Sequence, residues 1–217
     1  MCGSEQRSRK MKKLVLSIVG VALLAAAGTI RAGSQTQAAP PAQSADKTPP
    51  SYDMKPQSLL DLETINKKFI SLAEAIPADK FTWRPANDTR SFAELFLHVA
   101  GERYGFLSLM GATPPPEYDP KTFGKSTTDK AKIIEELNKS WQFTQTTIQG
   151  MTNSDFAKAL PKLGPDANEG DVIYLLVVDA HEHLGQAIAY SRVNGIVPPW
   201  TADAAAAAAK KAQQQKQ

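Results

Sequence analysis

Two side chains that could bind a metal ion lie one helical turn apart in the C-terminal part of the chain. Asp179 and His183 are four residues apart, so on a helix they share one face. The same face carries mostly residues suited to burial, namely Val172, Leu175, Leu176, Gln186 and Tyr190. Because an isolated buried carboxylate is costly, Asp179 requires a cation or a hydrogen-bond donor. The pair can close on one divalent ion.

A third candidate ligand, His98, lies on a different helical segment. His98 and Glu102 are also one turn apart and fall at the edge of an apolar stripe. Three ligands from two helices leave an open coordination position for water or substrate. We therefore predict that His98, Asp179 and His183 bind the metal, and that Glu102, Gln186 and Tyr190 support them or face a substrate. The sequence identifies no catalytic residue and no site for an organic cofactor.

The same residues also permit a structural interpretation. A histidine at a helix edge is commonly just half-exposed, and an Asp–His pair at this spacing commonly forms an intrahelical contact. The alternative is therefore a non-catalytic binding or scaffold bundle in which Asp179 and His183 bond only to each other. For Trp83 and Trp141 we likewise favour places in the core or at helix ends, and Trp200 could pack back on the bundle.

Four segments with helical periodicity must position these residues. They span about 57–76, 91–110, 128–151 and 169–194. Ser91 followed by Glu94 forms a capping-box pattern at the start of the second segment. Alternating strand patterns with hairpin turns are missing. The sequence therefore predicts an all-α, antiparallel four-helix bundle over residues 52–201, an architecture that builds metal sites between facing helices.

Residues 1–32 have the parts of a secretory signal peptide. A cationic stretch precedes an uncharged apolar run, and small residues then suit cleavage after Ala27 or Ala32. Met11 is an alternative start. We expect export to the periplasm or the extracellular space. An uncleaved membrane anchor is the alternative, because the apolar run is near the short limit for a span.

The composition of the chain restricts its partners, its thiol chemistry and the extent of its folded part. Residues 1–32 hold six of the 25 basic residues and one of the 22 acidic residues, which leaves 19 basic against 21 acidic. The basic excess thus lies in the signal, and we expect no nucleic-acid partner. Cys2, the only cysteine, precedes the apolar run, so we expect no thiol in the mature chain. Residues 33–51 are predicted to be a flexible Pro/Ala/Gln linker, and residues 202–217 a disordered Ala/Lys/Gln tail.

Two motifs resemble the DinB-like superfamily. The stretch FTWRP at 81–85, followed by RSFAEL at 90–95 and then His98, resembles the pattern W-R-P, R-S, E-L and H of that family. The stretch HLGQ at 183–186, which runs into YSRVNGIVPP at 190–199, is similar to the signature of its final helix. The resemblance extends over about residues 59–200.

This resemblance implies a four-helix bundle, often a homodimer, with three histidines that hold zinc, nickel or a similar ion. By position His98 matches the first histidine and His183 the last, whereas Asp179 stands in place of the middle one. A carboxylate is a harder ligand and favours other divalent ions such as manganese. His181 and Glu182 could replace Asp179 only if the helix were rotated.

The resemblance also implies an activity. Characterised relatives include thiol S-transferases and thiol-dependent isomerases, in which the ion converts a bound thiol into a thiolate. We therefore expect a divalent-metal-dependent enzyme that acts on a small molecule and is of the thiol transferase or hydrolase type.

Overall fold

The structure is a computed structural model that describes residues 53–215, and these residues form six α-helices and no β-strand. The helices are α1 (Met54–Ala75), α2 (Phe92–Leu109), α3 (Lys130–Gly150), α4 (Asn153–Phe156), α5 (Glu169–Val193) and α6 (Pro199–Gln214). Two short 3-10 turns lie at Ala78–Lys80 and Phe123–Lys125. The predicted signal peptide and linker lie outside the described residues.

The four long helices α1, α2, α3 and α5 form the bundle. The principal contacts of α1 and of α2 are with α3 and α5, so α1 lies diagonally opposite α2. The predicted helical segments agree with these four helices to within three residues at each end. The all-α, four-helix bundle is therefore confirmed. None of the helices in 53–215 combines the length and apolar character needed to cross a membrane.

Polar caps and glycines set the ends of these helices. The predicted capping box is present, because the Ser91 hydroxyl accepts from the Glu94 backbone N–H and the Glu94 carboxylate accepts from the Ser91 backbone N–H. After α2 and α5 the chain turns through Gly111 and Gly195, which have φ of +94° and +73°. These values lie in the left-handed region that glycine adopts readily, so both helices stop there.

Aromatic side chains fill much of the core between the helices. Phe69, Phe92 and Phe96 are fully buried. The ring centre of Phe96 lies 6.3 Å from that of Phe69, edge-to-face, and 6.2 Å from that of Phe92, stacked. Burying each phenyl ring stabilises the fold by roughly 1.5–3 kcal/mol. Trp83 is partly buried against Phe92 and Tyr190, as expected for a residue near the core. This packing fixes α2 against α5, the two helices that carry the candidate site.

The predicted disordered tail differs from the structure. Residues 199–214 form α6, although none of its residues is buried. Pro199 stands at the first helical position, where its fixed φ favours helix initiation, and the alanine run that follows has the highest helix propensity. The helix forms through this propensity although it has no apolar face to pack. Trp200 does pack on the bundle, with Lys68 Nζ 5.6 Å from the centre of its ring.

Candidate metal centre

Helices α2 and α5 bring two histidines and two carboxylates together. His98 and Glu102 lie on α2, and Asp179 and His183 lie on α5. The ring centres of His98 and His183 are 4.7 Å apart. Ligand atoms of His98, Glu102 and His183 all lie within 4.8 Å of one another. The two histidines that the sequence proposed as ligands are therefore neighbours across the helix interface.

Glu102 lies between the two imidazoles. Its Oε1 is 2.9 Å from His98 Nε2, and its Oε2 is 3.4 Å from His183 Nε2. Oε2 is buried and has no well-formed hydrogen bond within residues 53–215. The sequence predicted Glu102 only as a supporting or substrate-facing residue, but the structure places it among the candidate ligands. Its spacing of four residues from His98 was the signal that could have identified it.

Asp179 borders this group through His183. Its Oδ1 lies 3.3 Å from His183 Nε2, and its side chain is 22% exposed. The group of three with mutually close ligand atoms contains Glu102 and not Asp179. The ligand role of Asp179 stays a prediction, whereas the contact with His183 that its spacing indicated is present.

A chain of hydrogen bonds orients His183 from behind. His183 Nδ1 lies 3.1 Å from Gln186 Oε1, and Gln186 Nε2 donates to the Tyr190 hydroxyl at 2.9 Å. Because the amide oxygen can only accept, Nδ1 carries the hydrogen and Nε2 faces the carboxylates. Metal-binding histidines are typically held by such a partner on their other nitrogen. Gln186 and Tyr190 thus lie where supporting residues are needed.

Contacts within this group shift the pKa values of His183, Glu102 and Asp179. Burial acts to lower the pKa of His183, but contacts with Asp179 and then Glu102 outweigh it and raise this pKa to about 10. Burial acts to raise the pKa of Glu102, yet its contacts with His183 and His98 hold it well below its usual range. Burial, together with the Glu102 carboxylate, raises the pKa of Asp179. The contacts therefore favour the charged forms of His183 and Glu102 as partners of each other, whereas Asp179 is shifted toward its neutral form.

The remaining histidine faces elsewhere. His181 is exposed, and its Nε2 lies 3.1 Å from Asp61 Oδ2 on α1. Glu182, the next residue, is also exposed. Neither residue therefore takes the place of Asp179, in agreement with the sequence prediction that a rotated helix would be needed.

The residues present fit a divalent ion. Two imidazole nitrogens and one carboxylate form a donor set that zinc and related ions accept. Donor atoms at ordinary bond lengths around one tetrahedral ion lie about 3.4 Å apart. Because the ligand atoms here lie within 4.8 Å of one another, side-chain movements that bring them about 1–1.5 Å closer suffice. The buried Glu102 Oε2 forms no well-formed hydrogen bond in the described part of the chain, so this oxygen is available to a cation.

Solved structures of other proteins share this fold. A DinB-like protein from Bacillus cereus ATCC 10987 aligns with a TM-score of 0.57 at 14% identity, over 65% of this chain and 93% of that one. A conserved protein from Enterococcus faecalis aligns with a TM-score of 0.54 at 17% identity, over 65% and 97% of the two chains.

At the level of sequence, no curated protein matches the chain. The model of the DinB superfamily, however, matches residues 61–187. This match covers more than half of the sequence and includes all four side chains of the candidate centre. The chain belongs to the DinB superfamily.

Proposed function

We propose that this protein is an exported, divalent-metal-dependent enzyme that acts on a small molecule and is of the thiol transferase or hydrolase type. One observation carries the proposal. The Glu102 carboxylate lies between Nε2 of His98 and Nε2 of His183, while its buried Oε2 forms no well-formed hydrogen bond within residues 53–215. A cation bound between the three side chains would contact this oxygen directly, which the two imidazoles do not do at hydrogen-bond geometry.

Three residues would hold the ion, namely His98, Glu102 and His183. Zinc, nickel and manganese are the candidates, because the set combines imidazoles with a hard carboxylate and contains no thiolate. A divalent ion at such a centre lowers the pKa of a bound water or thiol and polarises a carbonyl group.

The chain's own residues supply orientation and proton transfer. Gln186 accepts a hydrogen bond from His183 Nδ1 and so directs Nε2 toward the centre, where it would be the atom that binds the ion. Asp179 stands beside the centre, and its side chain is neither fully buried nor fully exposed. Its Oδ1, a carboxylate oxygen 3.3 Å from His183 Nε2, would accept a proton from a nucleophile at the site.

The second candidate function is a non-catalytic, exported binding or scaffold bundle with a degenerate metal site. The observation that favours it is the carboxylate at position 179, where family members carry a histidine. In this alternative the contacts of 2.9 Å and 3.3 Å made by His98 and His183 with Glu102 and Asp179 are structural ion pairs only.

Elemental analysis of the purified chain after exposure to zinc, nickel and manganese distinguishes the two functions. We expect one equivalent of metal in the wild type and its loss in His98→Ala, Glu102→Gln and His183→Ala. His181→Ala is the matched control, because it removes a histidine that faces Asp61 instead. It should retain the metal. A wild type without stoichiometric metal would overturn the enzyme proposal and leave the scaffold bundle.

Export and self-association are part of the same proposal. Export rests on the signal-like residues 1–32, and a homodimer rests on the dimeric members of the family. N-terminal sequencing of the protein from fractionated cells tests cleavage after Ala27 or Ala32. Light scattering of the purified chain tests the dimer. We propose no nucleic-acid partner, and membrane attachment only if the apolar run stays uncleaved.

A further inference from the structure

Two cavities meet at His98, on the side of α2 that is covered by the connector between α2 and α3. One has a volume of about 420 Å³ and the other of about 440 Å³. His98, Pro120 and Gly124 belong to the walls of both. The two cavities are therefore neighbouring parts of one cleft, with a candidate metal ligand at their junction.

The first cavity is apolar and lies beside Glu102. Phe106, Leu109, Tyr118 and Phe123 are among its walls. Its shape depends on Gly101 of α2, because a Cβ atom there would lie 3.1 Å from the Phe123 ring. A Cβ atom at Gly105 would be in ordinary contact with the Tyr118 hydroxyl, at 3.4 Å. Tyr118 also donates a hydrogen bond to the Gly101 carbonyl at 3.0 Å. The connector is thus fixed against α2 as one wall.

The second cavity is basic. Its walls contain four cationic side chains, Arg84, Arg90, Lys121 and Lys125, against two acidic ones, Asp88 and Glu94. Arg84 is engaged by Glu94 at 3.0 Å and by the Thr89 carbonyl at 2.9 Å. Arg90, Lys121 and Lys125 form no ion pair within residues 53–215. These three cations are available to a negatively charged group.

We infer that this cleft binds an amphipathic anion. The apolar part of the ligand lies between Phe106, Leu109 and Phe123, and its carboxylate, sulfonate or phosphate group lies against Lys121 and Lys125. The middle of the ligand, between its apolar and its charged part, then lies beside His98. What happens to such a ligand rests on the proposed metal-dependent function, whereas its binding does not.

The volumes and charges restrict the ligand further. Small-molecule sites typically span about 300–1,000 Å³, so the apolar cavity lies at the lower end and suits a single ring or a short alkyl chain. The charge of the anion supplies selectivity, because a neutral analogue forgoes the contacts with the lysines.

The probe is 4-phenylbutyrate, compared with 4-phenylbutyramide, which lacks the charge, and butyrate, which lacks the ring. Dissociation constants are measured by chemical-shift titration of the purified full chain, with and without zinc. We expect phenylbutyrate to bind at least about tenfold more tightly than either analogue. Equal affinities of phenylbutyrate and its amide would overturn the inference, and so would the absence of binding of all three.

Variants assign each half of the ligand to its cavity. Lys121→Gln/Lys125→Gln should weaken phenylbutyrate binding about tenfold and leave the amide unchanged. Lys132→Gln/Lys162→Gln removes the same charge from exposed positions outside both cavities and should change neither. An equal loss in the two double variants would show a nonspecific charge effect and reject the basic cavity as the anion site.

Leu109→Gln tests the apolar half. This variant should weaken both phenyl compounds and leave butyrate unchanged, with the helical circular dichroism signal confirming the fold. Unchanged affinity for the phenyl compounds would reject the apolar cavity. Zinc content, measured on the same samples, separates the two proposals. Zinc without phenylbutyrate binding rejects only the cleft, and phenylbutyrate binding without zinc rejects only the metal-dependent function.

Discussion

Glu102 and Arg103 are neighbours on α2 but lie in different surroundings. Glu102 faces α5, where two imidazoles and a second carboxylate surround it and its side chain is 21% exposed. Arg103 is almost fully buried, and its Nη1 donates to Asn66 Oδ1, the Leu137 carbonyl and Ser140 Oγ at 2.9–3.2 Å. One polar residue therefore joins a cluster of ionisable groups, and the other is held by neutral acceptors from α1 and α3.

The contrast distinguishes Glu102, which belongs to a candidate site, from Arg103, which supports the structure of the bundle. The acceptors of Arg103 neutralise no charge, and burial lowers its pKa to about 10, so it stays charged at neutral pH. The charged cluster around Glu102 instead combines one carboxylate of lowered pKa with one of raised pKa. Opposite shifts on neighbouring carboxylates are typical of functional sites. A buried charge alone is therefore a weaker indication of function than a cluster open to solvent.

The largest effect that we expect is metal-dependent stabilisation. At zinc concentrations about 1,000-fold above the dissociation constant, the wild type should gain about 4 kcal/mol in free energy of unfolding. Differential scanning calorimetry with and without zinc measures the gain. Glu102→Gln should show no gain, because it removes the carboxylate between the two histidines. A gain in Glu102→Gln equal to that of the wild type would exclude this residue as a ligand.

Arg103→Ala should lower the free energy of unfolding by about 3 kcal/mol, since it leaves Asn66 and Ser140 without their donor and creates a cavity. Arg103→Met should lower it less, because methionine refills the volume. Urea unfolding measures both. Zinc affinity in the folded state should stay unchanged, and a loss comparable to that of Glu102→Gln would erase the contrast between the two residues.

Gln186→Ala should weaken zinc binding about tenfold, because the partner that orients His183 is lost. Competition with a chromogenic chelator measures the affinity. Gln142→Ala, at an exposed position on α3, is the control and should bind zinc as the wild type does. If the two variants bind zinc equally well, the hydrogen bond behind His183 has no part in the site.

The smallest effect concerns Glu94, a third polar residue of α2. The backbone N–H of Ser91 and then the charge of Arg84 lower the pKa of Glu94, although burial opposes them. A carboxylate with a lowered pKa stabilises the fold at pH values above its pKa in the unfolded chain. This stabilisation is lost as the pH falls through its pKa in the folded chain. Glu94→Gln should therefore cost about 0.5–1 kcal/mol at pH 7 and progressively less in acid. Urea unfolding of the wild type and Glu94→Gln at pH 7 and in acid measures this. A difference in free energy of unfolding that does not change with pH would contradict the prediction.

The fold was predictable because local signals agree. Apolar residues at helical spacing, the Ser91–Glu94 capping box and the glycines after α2 and α5 all mark the same four helices. The short α4 was missed, since four residues carry too little periodicity to detect. The end of the chain, predicted to be a disordered tail, forms the exposed helix α6 in the structure, because alanine favours a helix even where nothing packs against it.

The candidate site was predictable only in part. The spacing of His98 and His183 within their helices indicated which faces they occupy, and the structure brings them together. Which carboxylate stands between them depends on the rotation of α2 against α5, and this rotation follows from core packing over the whole interface. The cleft was not predictable, because the connector from Gly111 to Asp129 has no periodicity that would place its lysines.

The close approach of the connector to Gly101 has an evolutionary consequence. A single methyl group at this position would press on the Phe123 ring, which would have to move by a few tenths of an ångström, while the candidate ligands keep their places on the helices. The size of a ligand in the proposed cleft can thus diverge among descendants of this chain through one small residue, while the candidate metal ligands stay in place.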